Sequence, residues 1–231
     1  MKRALIVAPH PDDAELAVAG TISMLLKAKW HVCIVDLTDG EPTPNGTKEI
    51  RKKETLQATK LLKIQKRINL NMPNRYLQPT LENRKKLAET IRLQKPDIIF
   101  APAIPDWHPD HKTALELTLT ARFQAKYHKT DMKARPHWTP SLWQYYSPHR
   151  QDYPQPSMII DISDYWPKKL EAVKAYQSQL KKPGSDQPND LLDKIHITAR
   201  YFGQCINARY GEPFLLPAPI AIKNLALKAL T

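Results

Sequence analysis

Residues 4–15 read ALIVAPHPDDAE, an apolar run that stops at a proline and is followed by a histidine and two adjacent carboxylates. The run over residues 4–8 is apolar at every position, which is typical of a buried strand in a parallel sheet. Pro9 and Pro11 flank His10 and restrict the backbone of the loop that follows. The segment therefore predicts a first strand that ends in a stiff loop of polar side chains.

The chain after this strand alternates between short apolar runs and longer amphipathic segments. The predicted strands cover residues 4–8, 32–37, 68–70 and 98–101. The predicted helices between them cover residues 14–29, 48–62 and 81–94. This βαβαβαβ alternation is typical of a parallel sheet flanked by helices. We therefore predict an α/β, Rossmann-like fold with a mostly parallel sheet.

The C-terminal half continues the pattern less regularly. Residues 142–146 and 158–162 are apolar runs, and a helix is predicted to begin near residues 163–164. Its apolar positions follow helical spacing: Leu170, Val173, Tyr176 and Leu180. Residues 181–190 read KKPGSDQPND, which is typical of a loop, and they lead into a last helix predicted at residues 190–205.

Length and composition indicate a globular protein, and we expect a single domain spanning residues 1–231. No stretch approaches the ~20 consecutive apolar residues that a membrane span requires. The N-terminal apolar run is brief and lacks a small-residue cleavage site, which favours a strand over a signal peptide. Cys33 and Cys205 form no CxxC pair, so we expect two inert buried thiols and a cytoplasmic protein.

The charge balance is basic: Lys and Arg number 35 against 23 acidic residues, for a formal net charge of +12. Such a charge suits nucleic acid or an anionic small molecule. The basic clusters lie in or beside predicted helices, most with Glu close by, as on solvent-exposed helix faces. No nucleic-acid motif and no GxGxxG or GxxxxGK phosphate loop accompanies them. We therefore expect a small-molecule substrate, with neither nucleic acid nor membrane as partner.

A second polar motif, WHPDH at residues 107–111, follows the predicted strand at residues 98–101. Ligands of open α/β sheets bind outside the carboxyl ends of the strands, so both polar loops are expected to meet there. Imidazoles from His10 and His111 with a carboxylate from Asp13 are a ligand set suited to zinc, with ferrous iron as the alternative. Three protein ligands leave a coordination position for water, which is typical of a catalytic site.

The remaining polar residues of the two motifs suggest acid–base chemistry. Neighbouring Asp12 and Asp13 are not expected to point the same way, so one would bind the metal while the other accepts a proton from water. His108 could polarise an oxyanion or protonate a leaving amine, with Asp110 orienting its ring. Each motif alone could instead be a helix N-cap, whereas both together at strand ends favour a metal site.

Five other histidines have no partner at ligand spacing and are expected on the surface or in the core: His31, His128, His137, His149 and His196.

The two motifs resemble those of the LmbE/PIG-L superfamily of zinc-dependent de-N-acetylases, HPDDxE and HPDH, here at residues 10–15 and 108–111. Further segments resemble the subgroup that deacetylates N-acetylglucosaminyl-malate in bacillithiol biosynthesis. They are residues 45–47, Arg51 with Glu54, residues 67–73, 161–163, 178–179 and 210–214. The resemblance implies an LmbE-like fold and zinc bound by three residues, His10, Asp13 and His111. It also implies Asp12 as general base, and His108 paired with Asp110 as the acid or oxyanion group.

The same resemblance supplies the substrate-binding candidates Arg51, Trp107 and Tyr210. The malate-type enzymes commonly carry Arg where this chain has Trp107, whose aromatic face suits stacking on a sugar better than pairing with a carboxylate. N-acetylglucosaminyl-malate is the predicted substrate, and another N-acetylglucosaminide or a chitooligosaccharide is the alternative. Family members of this type are often hexamers, so we expect a homo-oligomer.

Two readings outside deacetylation stay open. The two-histidine, one-carboxylate set could hold ferrous iron for oxygen chemistry, although Asp12 would then have no role. The chain could also be a metal-containing sugar-binding protein without turnover.

Overall fold

The computed structural model describes residues 1–148 and 152–219, so His149 lies outside the described residues. The strands are β1 (Arg3–Ala8), β2 (His31–Thr38), β3 (Lys66–Met72), β4 (Ile98–Pro102), β5 (Ser141–Tyr145), β6 (Met158–Asp161) and β7 (Gly211–Leu215). The helices are α1 (Asp13–Lys27), α2 (Lys48–Leu62), α3 (Leu81–Gln94), α4 (Pro109–Gln124), α5 (Trp166–Lys174) and α6 (Leu191–Gln204). Short 3-10 turns cover Ser163–Tyr165 and Gln177–Leu180.

The strands form one sheet in the order β3-β2-β1-β4-β5-β7-β6. β1 to β5 pair in parallel, whereas β7 lies antiparallel between β5 and β6. The predicted Rossmann-like, mostly parallel sheet is therefore confirmed, with one addition. β7 was not predicted from the sequence, because its five residues include Pro213 and show no clear alternation.

Helices α2 and α3 have the predicted bounds because local signals define both ends. The side chains of Thr47 and Thr80 accept hydrogen bonds from the first-turn amides of α2 and α3, respectively. Lys63 and Lys95 end the two helices in the left-handed conformation.

The helix predicted through Leu180 instead ends at Lys174. A tertiary contact accounts for the difference: the backbone N–H and hydroxyl of Ser178 donate to the Glu54 carboxylate of α2 at 2.7 and 2.8 Å. These bonds favour a 3-10 turn over continued α-helix, because they hold the chain against α2.

The central strands are buried on both faces. Ile6 of β1 packs on the α1 side with Ile22, and Leu5 packs on the opposite side with Leu87 of α3 and Leu117 of α4. Each fully buried aliphatic side chain contributes about 1.5–3 kcal/mol. The carboxyl ends of these strands are therefore anchored in packed core.

The strand order reverses at β1, since β2 and β3 lie on one side of it and β4 and β5 on the other. The loop after β1 carries the first polar motif, and the loop after β4 carries the second. Both motifs thus lie at the topological switch point, where open α/β sheets bind ligands.

Two further expectations are tested by the fold. Cys33 is buried, and burial raises the pKa of its thiol to about 12, but Cys205 is exposed, so the prediction of two buried thiols was wrong for Cys205. Cys205 follows the last turn of α6 on its solvent side.

Within the described ranges, no helix combines the length and hydropathy needed to cross a bilayer.

Candidate active site

The structure brings His10, Asp13 and His111 together at the carboxyl ends of β1 and β4. Their candidate ligand atoms all lie within 4.8 Å of one another. His10 Nδ1 lies 3.1 Å from Asp13 Oδ2, and His111 Nε2 lies 3.4 Å from Asp13 Oδ1. Asp13 begins α1 and His111 lies in the first turn of α4, so helix starts position two of the three side chains.

A carboxylate holds the far side of each imidazole. His10 Nε2 lies 3.0 Å from Asp110 Oδ2, and His111 Nδ1 lies 3.0 Å from Asp106 Oδ2. A proton on each of these outer nitrogens would leave Nδ1 of His10 and Nε2 of His111 as lone-pair donors facing Asp13. Metal-ligating histidines are oriented in this way, so the donor set fits a divalent cation such as zinc or ferrous iron.

Sequence analysis missed Asp106, whose carboxylate is buried. Besides His111, its oxygens accept hydrogen bonds from the Ser147 hydroxyl at 2.6 Å and the His108 backbone N–H at 2.8 Å. The available signal was an acidic residue in the loop that follows β4, five positions before His111. Ser147 gave no signal, because only the sheet brings β5 alongside β4.

The cluster has strongly shifted pKa values. Burial lowers the pKa of His10, but the hydrogen bonds to Asp110 and Asp13 outweigh burial and raise it to about 9. Burial is likewise outweighed at His111, where the Asp13 charge and the Asp106 hydrogen bond raise the pKa to about 10. Burial would raise the pKa of Asp13, but the two histidines hold it well below its usual range. The carboxylates thus strongly favour positive charge at the centre of the cluster.

Asp12 lies beside the cluster with an unusual backbone, at φ 124° and ψ −33°. This conformation is unfavourable for a residue with a Cβ and is typical of strained functional positions. Burial raises the pKa of its carboxyl to about 7, even though the Arg51 guanidinium beside it acts in the opposite direction. A carboxyl with a pKa near neutrality is suited to accept and return a proton.

Arg51, a predicted substrate-binding residue, is buried and already bonded to protein groups. Its Nη1 donates to Asp12 Oδ2 and to the Pro11 carbonyl at 2.7 Å each, and its Nε donates to Glu41 Oε1 at 3.3 Å. Arg51 lines the cavity described below, but in these contacts it orients Asp12.

The predicted pairing of His108 with Asp110 has a different form in the structure. The Asp110 carboxylate accepts hydrogen bonds from the backbone N–H groups of Arg75 and Leu77 in addition to its contact with His10. The backbone N–H of Asp110, not its carboxylate, donates to His108 Nδ1 at 3.2 Å. The Asp110 carboxylate thus contacts His10, and the contact from Asp110 to His108 is made by its backbone. Burial, followed by the charges of His10 and His111, lowers the pKa of His108 to about 4.

A cavity of about 710 Å³ opens beside the cluster, large enough for a sugar with an attached group. His10, Asp12, Asp13 and His108 lie at its floor. Its walls include the β3–α3 loop, the residues before α6 and the first turns of α6. Residues from both halves of the chain therefore enclose one site.

Comparison with known proteins identifies the family of this chain. Residues 5–122, more than half of the 231 residues, match the GlcNAc-PI de-N-acetylase family, PIG-L. The chain belongs to this family. PIG-L relatives are named deacetylases, so the prediction of a hydrolytic enzyme is confirmed together with the predicted resemblance.

Individual PIG-L relatives match most of the chain. The diacetylchitobiose deacetylase of Thermococcus kodakarensis is 29% identical, covering 92% of this chain and 82% of that protein. A probable N-acetyl-alpha-D-glucosaminyl L-malate deacetylase 2 of Bacillus anthracis is also 29% identical, covering 96% and 98%. The crystal structure of a conserved protein of Thermus thermophilus has a TM-score of 0.88 at 33% identity, covering 98% and 99%. The predicted LmbE-like fold is confirmed by this likeness.

Two predicted substrate-binding residues do not line the cavity. Trp107 is 66% exposed and lies outside the cavity wall. Tyr210 is buried and stacks on Trp166 with ring centroids 4.3 Å apart, in the core between α5 and α6. The structure therefore places neither residue in contact with the cavity, although Trp107 immediately precedes the second motif and Tyr210 begins a segment that the resemblance had singled out.

Proposed function

We propose that this chain is a metal-dependent deacetylase that hydrolyses the N-acetyl group of an N-acetylglucosamine derivative. The observation that carries the proposal is the donor set of His10, Asp13 and His111, flanked by Asp12 on the floor of a sugar-sized cavity. Zinc is the proposed metal and ferrous iron the alternative. When bound, such an ion supplies Lewis acidity and lowers the pKa of a bound water toward ~7.

Asp12 is the proposed general base. Its carboxylate accepts a proton from the attacking water, and the same carboxyl then donates that proton to the nitrogen of the departing glucosamine. A pKa of about 7 suits both transfers near neutral pH. Arg51 holds Oδ2 of Asp12 at 2.7 Å, which leaves Oδ1 as the oxygen available to the water.

His108 is the proposed oxyanion donor. With a pKa of about 4 it is neutral at pH 7, and its Nδ1 accepts the Asp110 N–H. The ring proton therefore lies on Nε2, which can donate to the acetyl oxygen as negative charge develops there. This assignment selects the first of the two roles predicted for His108, because a neutral imidazole is a poor source of a proton for the amine.

The proposed substrate is N-acetylglucosaminyl-malate of bacillithiol biosynthesis, the reaction named for the Bacillus anthracis relative. A chitooligosaccharide is the second candidate, because the diacetylchitobiose deacetylase relative has the same identity to this chain. A cytoplasmic location and a homo-oligomer, such as a hexamer, stay predictions.

The decisive experiment measures acetate and free amine released from N-acetylglucosaminyl-malate and from diacetylchitobiose. We expect equimolar release, loss of activity after chelation, and recovery with Zn²⁺ or, anaerobically, with Fe²⁺. His111→Ala should lose metal and activity, whereas His128→Ala, an exposed histidine outside the cluster, should retain both. Metal-loaded protein that binds these sugars but releases no acetate would support the non-catalytic sugar-binding alternative instead.

A further inference from the structure

The cavity wall includes three cationic side chains, and two of them already have carboxylate partners. Arg51 is bonded to Asp12 and Glu41. Lys194 forms an ion pair with Asp190 one turn earlier on α6, at 3.0 Å. Arg75 differs, because its guanidinium makes no ion pair and no hydrogen bond with residues 1–148 or 152–219. Among the described residues it is the cavity cation still available to an anionic ligand.

The backbone of Arg75 is hydrogen-bonded to the cluster of candidate metal ligands through Asp110. Its N–H donates to Asp110 Oδ2 at 2.8 Å, and the same oxygen lies 3.0 Å from His10 Nε2. The next anchor is Leu77, whose N–H donates to Asp110 Oδ1 at 3.3 Å. These hydrogen bonds hold the backbone of Arg75 at a fixed position relative to the candidate metal ligands. The exposed guanidinium is therefore suited to contact the part of a substrate beyond the acetamide.

We propose that Arg75 determines the substrate class by binding a carboxylate on the group attached to N-acetylglucosamine. This proposal rests on the proposed function and extends it. The enzyme would prefer N-acetylglucosaminides with an acidic aglycone over neutral ones of similar size. A guanidinium binds a carboxylate through paired hydrogen bonds, which a neutral sugar cannot match.

Trp107 bears on the same point. It stands immediately before the second motif, yet it is exposed and lies outside the cavity wall. A carboxylate in this cavity would therefore meet Arg75, from the β3–α3 loop, instead of a side chain at position 107.

The test compares the zinc-loaded wild type with Arg75→Gln and Arg75→Lys on N-acetylglucosaminyl-malate and on neutral methyl N-acetylglucosaminide. For Arg75→Gln we expect kcat/KM to fall about 10- to 100-fold on the acidic substrate, mainly through KM, and less than about 2-fold on the neutral one. Arg75→Lys should recover part of the loss, because it restores the charge without the planar fork. Lys86→Gln, the matched control, removes one charge from the exposed face of α3 and should leave kcat/KM unchanged on both substrates.

Equal losses on both substrates would overturn the proposal in favour of a structural role for the loop, and so would equal rates in all variants. Deacetylation of both substrates by a wild type that shows no charge preference would refute the role of Arg75 but not the proposed function. If wild type deacetylates neither these two substrates nor diacetylchitobiose, the proposed function fails. In that case calorimetry of N-acetylglucosaminyl-malate binding tests the role of Arg75. We expect Arg75→Gln to bind the compound about 10-fold more weakly than wild type. Equal affinities would refute the role of Arg75.

Discussion

Two of the buried carboxylate clusters along helix α1 differ in how their charge is balanced. The first, the kink cluster, lies where α1 departs from helical geometry at Val18. There Glu212 of β7 accepts hydrogen bonds from the N–H groups of Gly20 and Thr21 at 3.0 and 2.7 Å. Its charged partner is Lys169, whose Nζ lies 2.7 Å from Oε1. One carboxylate, one ammonium and two helix amides thus form an electrically neutral, hydrogen-bonded set.

The second, the site cluster, lies at the N-terminus of α1 and has an excess of negative charge. It contains four carboxylates: Asp12, Asp13, Asp106 and Asp110. Within the described part of the chain, Arg51 is the one permanently charged side chain in contact with them. Protons on His10 and His111, or a divalent cation, offset most of the remaining negative charge. The charges of the kink cluster therefore balance within the cluster, whereas the site cluster is arranged to receive positive charge from outside.

The largest expected effect comes from Asp12, the carboxyl of the site cluster with a pKa near neutrality. Asp12→Asn should retain the metal and lose about 10²- to 10⁴-fold in kcat, because the amide cannot accept a proton from water. The measurements are metal content and turnover on the best substrate. Asp186→Asn, an exposed carboxylate paired with Lys181, is the matched control and should leave kcat unchanged. Wild-type turnover in Asp12→Asn would refute the assigned base.

Disrupting the kink cluster should lower the stability of the protein and should not directly affect the catalytic residues. Lys169→Met leaves Glu212 buried without its cation, so we expect the free energy of unfolding to fall by about 3–5 kcal/mol. Denaturant titration of the metal-free protein measures the change. Adding Glu212→Gln to the variant should recover part of the loss, because the buried charge is removed. A drop below about 1 kcal/mol in the single variant would show that the kink cluster is not a neutral ion pair in solution.

Metal uptake by the site cluster should depend steeply on pH. The pKa values of His10 and His111, about 9 and 10, mean that a metal must displace protons from both rings at neutral pH. Affinity therefore rises with pH and falls as pH drops, by at least about tenfold per unit between pH 8 and pH 6. Competition with a chelator at several pH values tests this. A flat profile would contradict protonated imidazoles in the metal-free cluster.

A smaller effect is expected at Asp106, which contacts His111 on the side away from the candidate metal position. Asp106→Asn should weaken metal binding about 10- to 100-fold, since the ring loses the carboxylate that favours protonation of Nδ1. Chelator competition at pH 7.5 measures the affinity. Asp131→Asn on the exposed surface is the matched control. An unchanged affinity would mean that Asp106 only supports the loop through Ser147 and the His108 amide.

The comparison of the two clusters also separates what the sequence predicts well from what it does not. The carboxylates of the site cluster at positions 12, 13 and 110 stand inside short motifs, so they could be predicted. Glu212 lies in a segment that the resemblance had singled out, but nothing in the sequence indicated its pairing with Lys169, which lies far from it in the chain. Asp106 fell between these cases: it lies near His111 in sequence, but its pairing depends on the path of the loop after β4.

The amino-acid sequence by itself determined the alternation of strands and helices, the caps of α2 and α3, and the two motifs at strand ends, because periodicity, capping and chain breaks act over a few residues. Only the tertiary structure decided that β7 inserts between β5 and β6 and that Asp110 orients His10. It also decided that Arg51 is bonded to Asp12 while Arg75 remains available. Those features depend on which distant segments the packed sheet brings within hydrogen-bond distance. Patterns over a few residues do not contain that information.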